Sequence, residues 1–140
     1  MSGKTEAENL MNELFDFAEK MLRQYGEFHP FGGYQDNSKH IVQVGVDVKD
    51  SRDISEGDRL NLLINKFKLI SQKKAGVAFG LVTNVELPRE DGGKKDAIKF
   101  FLEHEQGYCA EVFFEYNLTP QRTVEIVETS AQAGIPMFFD

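Results

Sequence analysis

Ile98-Lys99-Phe100-Phe101-Leu102-Glu103-His104, then Glu105-Gln106-Gly107, then Tyr108-Cys109-Ala110-Glu111-Val112-Phe113-Phe114-Glu115-Tyr116 is the stretch that decides the fold. Both flanks alternate, and three residues ending in Gly separate them. A three-residue hairpin loop takes Gly at its last, left-handed position, where it forms a bulge. That register sets His104 against Tyr108, Leu102 against Ala110, Phe100 against Val112 and Ile98 against Phe114. One face of the hairpin is then almost wholly apolar. The other carries Lys99, Phe101, Glu103, Cys109, Glu111, Phe113 and Glu115. A two-residue loop would put Leu102 beside Glu111, and the alternation rejects it.

Before the hairpin, residues 77–87 alternate as well, with Val77, Phe79, Leu81, Thr83, Val85 and Leu87 on one side. Residues 88–95, with Gly92-Gly93, form a polar turn region between the two runs. After the hairpin, residues 117–121 read as a turn, and Val124, Ile126 and Val127 suggest a short last strand. Residues 131–140 lack a period, but Ile135, Met137, Phe138 and Phe139 imply a segment packed against the body.

Two helices precede this run. Thr5-Glu6-Ala7-Glu8 has the form of a capping box. Leu10, Leu14, Phe17 and Met21 recur at helical spacing behind it, so a helix is expected over residues 5–25, with Gly26 at its C-cap. Residues 27–39 read as a loop rich in aromatics that packs down on the body, and residues 41–48 as a strand with Val42, Val44, Val46 and Val48 on one face. Ser55 can cap a second helix whose inner stripe is Leu60, Leu63, Ile64, Phe67 and Ile70, ended by Gly76. The fold expected is α+β: two helices packed on one face of a four- to five-stranded, mainly antiparallel sheet. No repeat, linker or low-complexity segment divides the 140 residues, so residues 1–140 are read as a single domain.

The net charge of -7 opposes nucleic-acid binding, which needs a basic patch for phosphates. It suits a basic protein partner. The single cysteine, Cys109, excludes an internal disulfide and a cysteine-cluster zinc site. The first helix is amphipathic and acidic and no apolar run precedes it, so neither a leader nor a membrane span is expected, and the location expected is the cytoplasm. No cofactor is implied.

Motifs with chemistry are sparse. Ser2-Gly3-Lys4-Thr5 has the ending of a phosphate-binding loop without its earlier glycine or preceding strand, and helix capping is the better account of Thr5. His29, His40 and His104 lack the i, i+4 spacing of a helical metal pair, so no metal site is assigned. Cys109 opposes Glu103 in the hairpin register, which would raise a thiol pKa and leave a poor nucleophile. No Gly-x-Ser-x-Gly elbow is present, and no catalytic residue is assigned.

Two candidate sites follow. The outer hairpin face gathers Phe101, Glu103, Glu111, Phe113 and Glu115. Aromatics ringed by carboxylates form an interaction patch unless the 135–139 segment folds over them. The other candidate is a pocket under residues 27–34, using Glu27, His29 and Tyr34.

Three blocks carry a resemblance to a family of small, mostly uncharacterised bacterial α+β proteins. They are Gly26-Glu27-Phe28-His29-Pro30-Phe31-Gly32, then Asp96-Ala97-Ile98 with Leu102-Glu103-His104-Glu105-Gln106-Gly107-Tyr108, and last Ala131-Gln132-Ala133-Gly134-Ile135-Pro136-Met137-Phe138. The resemblance implies a bacterial source and carries no activity, cofactor or catalytic residue. By size, acidity and lack of a catalytic motif the chain is also similar to immunity proteins of bacterial toxin systems. The function expected is non-enzymatic protein binding, in concrete form an immunity-like inhibitor of a basic protein. A small-molecule-binding or enzymatic domain with a pocket near residues 27–34 is the alternative.

Overall fold

In the computed structural model, which describes residues 3–45 and 54–139, the hairpin sits inside a six-stranded antiparallel sheet. In chain order the elements are α1 (Lys4–Tyr25), β1 (Phe31–Asp36), β2 (Ile41–Val44), α2 (Glu56–Gln72), β3 (Gly76–Pro88), β4 (Lys94–His104), β5 (Cys109–Leu118) and β6 (Val124–Ala133). The strand order across the sheet is β2-β1-β3-β4-β5-β6. The expected positions 46, 48 and 50–53 lie outside the described residues.

The hairpin register is the expected one. Ile98 pairs with Phe114, Phe100 with Val112 and Leu102 with Ala110. The His104 N–H donates to the Tyr108 carbonyl at 2.8 Å, closing the loop. Gly107 has φ 103°, the left-handed conformation that the bulge requires.

The sheet has six strands where four to five were expected, because residues 31–36 form β1 rather than a loop. Gly32-Gly33 has the composition of a turn, yet both glycines answer to close packing. A Cβ on Gly32 would strike the Gly80 carbonyl oxygen of β3, and one on Gly33 would meet Leu14 of α1 at 2.8 Å. The last strand is also longer than expected, running ten residues to Ala133.

The helices lie on opposite faces of the sheet, not on one. β3 explains why. Ala78 and Val82 turn to α1, while Phe79 and Leu81 turn to α2, so both faces of this inner strand are apolar and each needs a cover. On the first face α1 lays down Ala7, Leu10, Leu14, Ala18 and Leu22 against Ile98, Phe100, Leu102 and Val112. Phe28 and Phe31 join this core, with the Phe31 ring edge-on to Phe17 at 4.9 Å, so the aromatic residues after α1 pack on it as their composition implied.

On the second face Leu63 and Phe67 of α2 pack with Phe79, Leu81, Phe101 and Phe138. Phe138 belongs to the segment after β6. Its ring lies 4.9 Å from Phe79 and 5.9 Å from Phe67, and such aromatic pairs add about 0.5–1.5 kcal/mol beyond their buried area. The second layer is thus half helix and half C-terminal tail.

The helix ends show one agreement and one correction. Ser55 caps α2 by accepting the Asp58 N–H at 3.1 Å, and Gly26 ends α1 in the left-handed conformation as expected. The capping box at Thr5 does not form. Gly3 is the N-cap of α1, no side chain caps it, and the Glu6 carboxylate is taken up by His104 instead. At the far end of α2, Lys74 rather than Gly76 takes the left-handed position, and Gly76 opens β3.

Among the described residues, no helix is long and apolar enough to cross a membrane.

Candidate functional site

The two polar residues that close β4 are both buried and both committed to packing. His104 is 2 % exposed. Its Nδ1 receives the Gln106 N–H at 3.1 Å, so that nitrogen is the acceptor and the ring proton sits on Nε2. Nε2 then donates to the Glu6 carboxylate at 2.9 Å, tying the first turn of α1 to the sheet. Glu103 points to the other face and is also 2 % exposed. Its carboxylate accepts three backbone N–H groups, from Met137 at 2.7 Å, Phe138 at 3.0 Å and Phe139 at 2.8 Å. A buried carboxylate needs such donors, and here the C-terminal tail supplies them.

The tail therefore divides the outer hairpin face. Phe101 is covered, with its ring 6.0 Å from Phe138, so neither Phe101 nor Glu103 stands on an open surface. The physical reason is the pair of apolar residues Phe138 and Phe139, which bury themselves on the half of the face next to α2. The half toward β6 keeps the expected residues Glu111, Phe113 and Glu115, all partly exposed.

Two lysines, Lys99 of the outer hairpin face and Lys95 beyond it, complete this open half. Lys99 bridges to Glu111 at 3.1 Å, and its ammonium lies 5.8 Å from the centre of the Phe113 ring. Lys95 bridges to Glu115 at 3.0 Å. Each lysine sits two residues diagonal to its partner on the neighbouring strand, a spacing already implied by the hairpin register. Gln132 of β6 donates to Glu111 at 2.7 Å. That hydrogen bond first, and then Lys99, holds the Glu111 carboxyl below the usual carboxylate range. β6 adds Glu128, directly opposite Glu115, and Glu125, opposite Asn117. Neither makes an ion pair among the described residues. The result is a partly exposed Phe ring between two ion-paired carboxylates, with Glu128 and then Glu125 further along β6.

The second candidate resolves differently. Glu27 and His29 line a pocket of about 430 Å³ with Phe17, Met21, Tyr25, Phe28 and Arg59. His29 donates through Nδ1 to Glu56 at the start of α2, 2.7 Å away. Arg59, 3 % exposed, stands at the wall and is the residue that periodicity could not reveal, since it occupies a buried position on the inner face of α2. Tyr34 is not part of this pocket. It lies on the α2 face of the sheet, 6.0 Å from Phe79 and 6.2 Å from Phe67.

His29, His40 and His104 each turn to a different carboxylate, Glu56, Asp36 and Glu6. Among the described residues no three His, Cys, Asp or Glu side chains come together as a metal-binding group. Cys109 opposes Glu103 as expected. Its thiol is pushed up to about 11, by burial first and then by the Glu103 and Glu111 carboxylates.

No protein-family model matches this chain, no curated protein matches its sequence and no solved structure matches its fold.

Proposed function

We propose that this chain is a non-enzymatic binding domain whose partner is a basic protein, with an immunity-like inhibitor as the concrete form. The observation that carries the reading is the uncovered half of the second sheet face. There Phe113 is flanked by Glu111 and Glu115, and Glu128 and Glu125, further along β6, make no ion pair among the described residues. An aromatic ring in an acidic rim offers an anchor and a steering field together. Two buried titratable groups support the same reading from the other side. Glu103 and His104 use their polar atoms to hold the tail and α1, and the partly buried Cys109 thiol is held protonated at neutral pH.

The test is affinity capture from the source cell followed by kinetics on the purified pair. Phe113→Ala should speed dissociation. Glu111→Gln with Glu115→Gln should slow association, most at low salt, because charge steering acts over roughly a Debye length of about 10 Å at 0.1 M salt. A captured partner indifferent to all three changes would count against this face.

One observation favours a second reading. The pocket beside α1 has aromatic walls with Glu27, His29 and Arg59 at its polar side, which is the make-up of a small-molecule site. A ligand found there would shift the amide resonances of residues 27–31 and leave those of β5 and β6 unmoved.

A further inference from the structure

β6 is the last strand of the sheet, and among the described residues no strand pairs with its other side. It is ten residues long, and all but its first are exposed. The hydrogen-bond alternation tells which backbone groups look outward. His104 bonds to Tyr108, so the even-numbered residues of β5 bond to β4 and the odd-numbered ones bond to β6. Glu111, Phe113 and Glu115 pair with Gln132, Ser130 and Glu128, so those three residues of β6 face inward. Thr129, Ala131 and Ala133 then aim their N–H and C=O groups at the open edge. Such an edge is a template for one more strand.

The side chains along this edge select what can be added. On the α1 side Thr129, Ala131 and Ala133 are small. On the other side Glu125 and Glu128 make no ion pair among the described residues, and Glu115 lies opposite Glu128. β6 carries no cation. A second copy of the chain would bring the same two glutamates and the same net charge of -7. The edge therefore repels its own kind and complements positive charge.

We propose that the free edge of β6 is a strand-addition site that takes an extended, Lys- or Arg-rich segment of a partner protein. This deepens the reading of a basic partner and rests on it. The incoming strand would exchange backbone hydrogen bonds with Thr129 and Ala131. Its basic side chains would lie over Glu125 and Glu128, next to the Phe113 face.

The experiment uses the full chain and a synthetic ten-residue peptide of alternating Lys and Val, followed by amide hydrogen exchange. Millimolar peptide should protect the Thr129 and Ala131 amides at least tenfold. Thr129→Pro removes an outward N–H and no ladder bond, so it should keep the thermal midpoint while weakening binding tenfold or more. Glu125→Gln with Glu128→Gln should weaken binding and flatten its salt dependence. The same peptide N-methylated at alternate residues should not bind, which tests the backbone pairing without altering the protein. Binding that survives Thr129→Pro and N-methylation but is lost in Phe113→Ala would overturn the edge and leave the face reading standing. No binding by wild-type protein would overturn the edge proposal and leave the face reading to its own capture test. A concentration-dependent dimer abolished by Thr129→Pro would assign the edge to a second copy and overturn the basic segment.

Discussion

The Glu103 carboxylate accepts the Phe138 backbone N–H at 3.0 Å, joining the end of β4 to a tail 35 positions later in the chain. With the flanking amides of Met137 and Phe139 it makes a cradle in which one buried charge organises three residues of irregular backbone. The same contact decides how much of the hairpin's outer face stays open to solvent.

Removing that charge should release the tail. Glu103→Ala leaves three amides without their acceptor beside a cavity, and about 3 kcal/mol or more of stability should be lost. Glu103→Gln keeps one acceptor oxygen and sets an NH2 group against a donor, so its loss should fall below that of Ala. Urea denaturation measures both. The Phe138 amide should exchange faster in each variant. Unchanged protection at Phe138 would show that the tail is held by its aromatic rings alone.

Gly3 is expected to tolerate no side chain. Its φ is 79°, and an added Cβ would lie on the His104 ring. Gly3→Ala should cost about 1–3 kcal/mol for backbone strain alone, with the clash added to that. In a His104→Ala background the clash disappears and only the backbone part remains. A double-mutant cycle should therefore give a strong favourable coupling between the two substitutions.

Gly107 separates backbone strain from packing. A Cβ there would meet nothing within 4 Å, while φ is 103°. Gly107→Val should destabilise by about 1 kcal/mol or more through conformation only. Gly107→Asn should cost less, since Asn tolerates the left-handed region better. Equal losses for the two would point to a cause other than φ.

Alkaline pH should weaken the fold through two groups. The Cys109 thiol is raised from an ordinary 9.0 to about 11 by burial, then Glu103 and Glu111. Burial, then Asp96, raises the Tyr116 phenol from 10.0 to about 12 against a lowering hydrogen bond to Asn84. Each folded value lies above the unfolded one, so the protonated form is favoured by the fold. That stability is complete below pH 9 and is lost as pH rises toward 11 for Cys109 and 12 for Tyr116. Urea midpoints measured from pH 8 to 11 should fall, and Cys109→Ala should remove the earlier part of the decline. Cys109 should also react slowly with iodoacetamide at pH 8.

What the chain states locally, the fold repeats. The hairpin register, the left-handed Gly107, the Ser55 and Gly26 caps and the apolar stripe of α1 all depend on neighbours within a few residues. The side-chain period and turn chemistry suffice for each. The opposition of Cys109 to Glu103 followed from the register, but the larger cause of the raised thiol is burial, which the register does not supply. Other features needed contacts between distant segments. Residues 27–39 read as a loop because nothing near Gly32-Gly33 reveals that Gly80 and Leu14 press on it from β3 and α1. The capping box at Thr5 was lost because α1 starts earlier, with Gly3 as its N-cap and Thr5 already inside the helix, while Glu6 in the first turn reaches His104, 98 positions away. Alternation in β3 could identify two faces but not say that each would receive its own helix. That choice was made by packing, since Phe79, Leu81 and Phe101 on the far face had to be shielded from water, and α2 with the tail of Phe138 was the cover available. The sequence by itself determined the class, the hairpin and the acidic charge; the tertiary structure alone decided that Phe101 and Glu103 are buried while Phe113 and the edge of β6 stay open, because burial is a property of what packs above a residue and not of the strand it stands on.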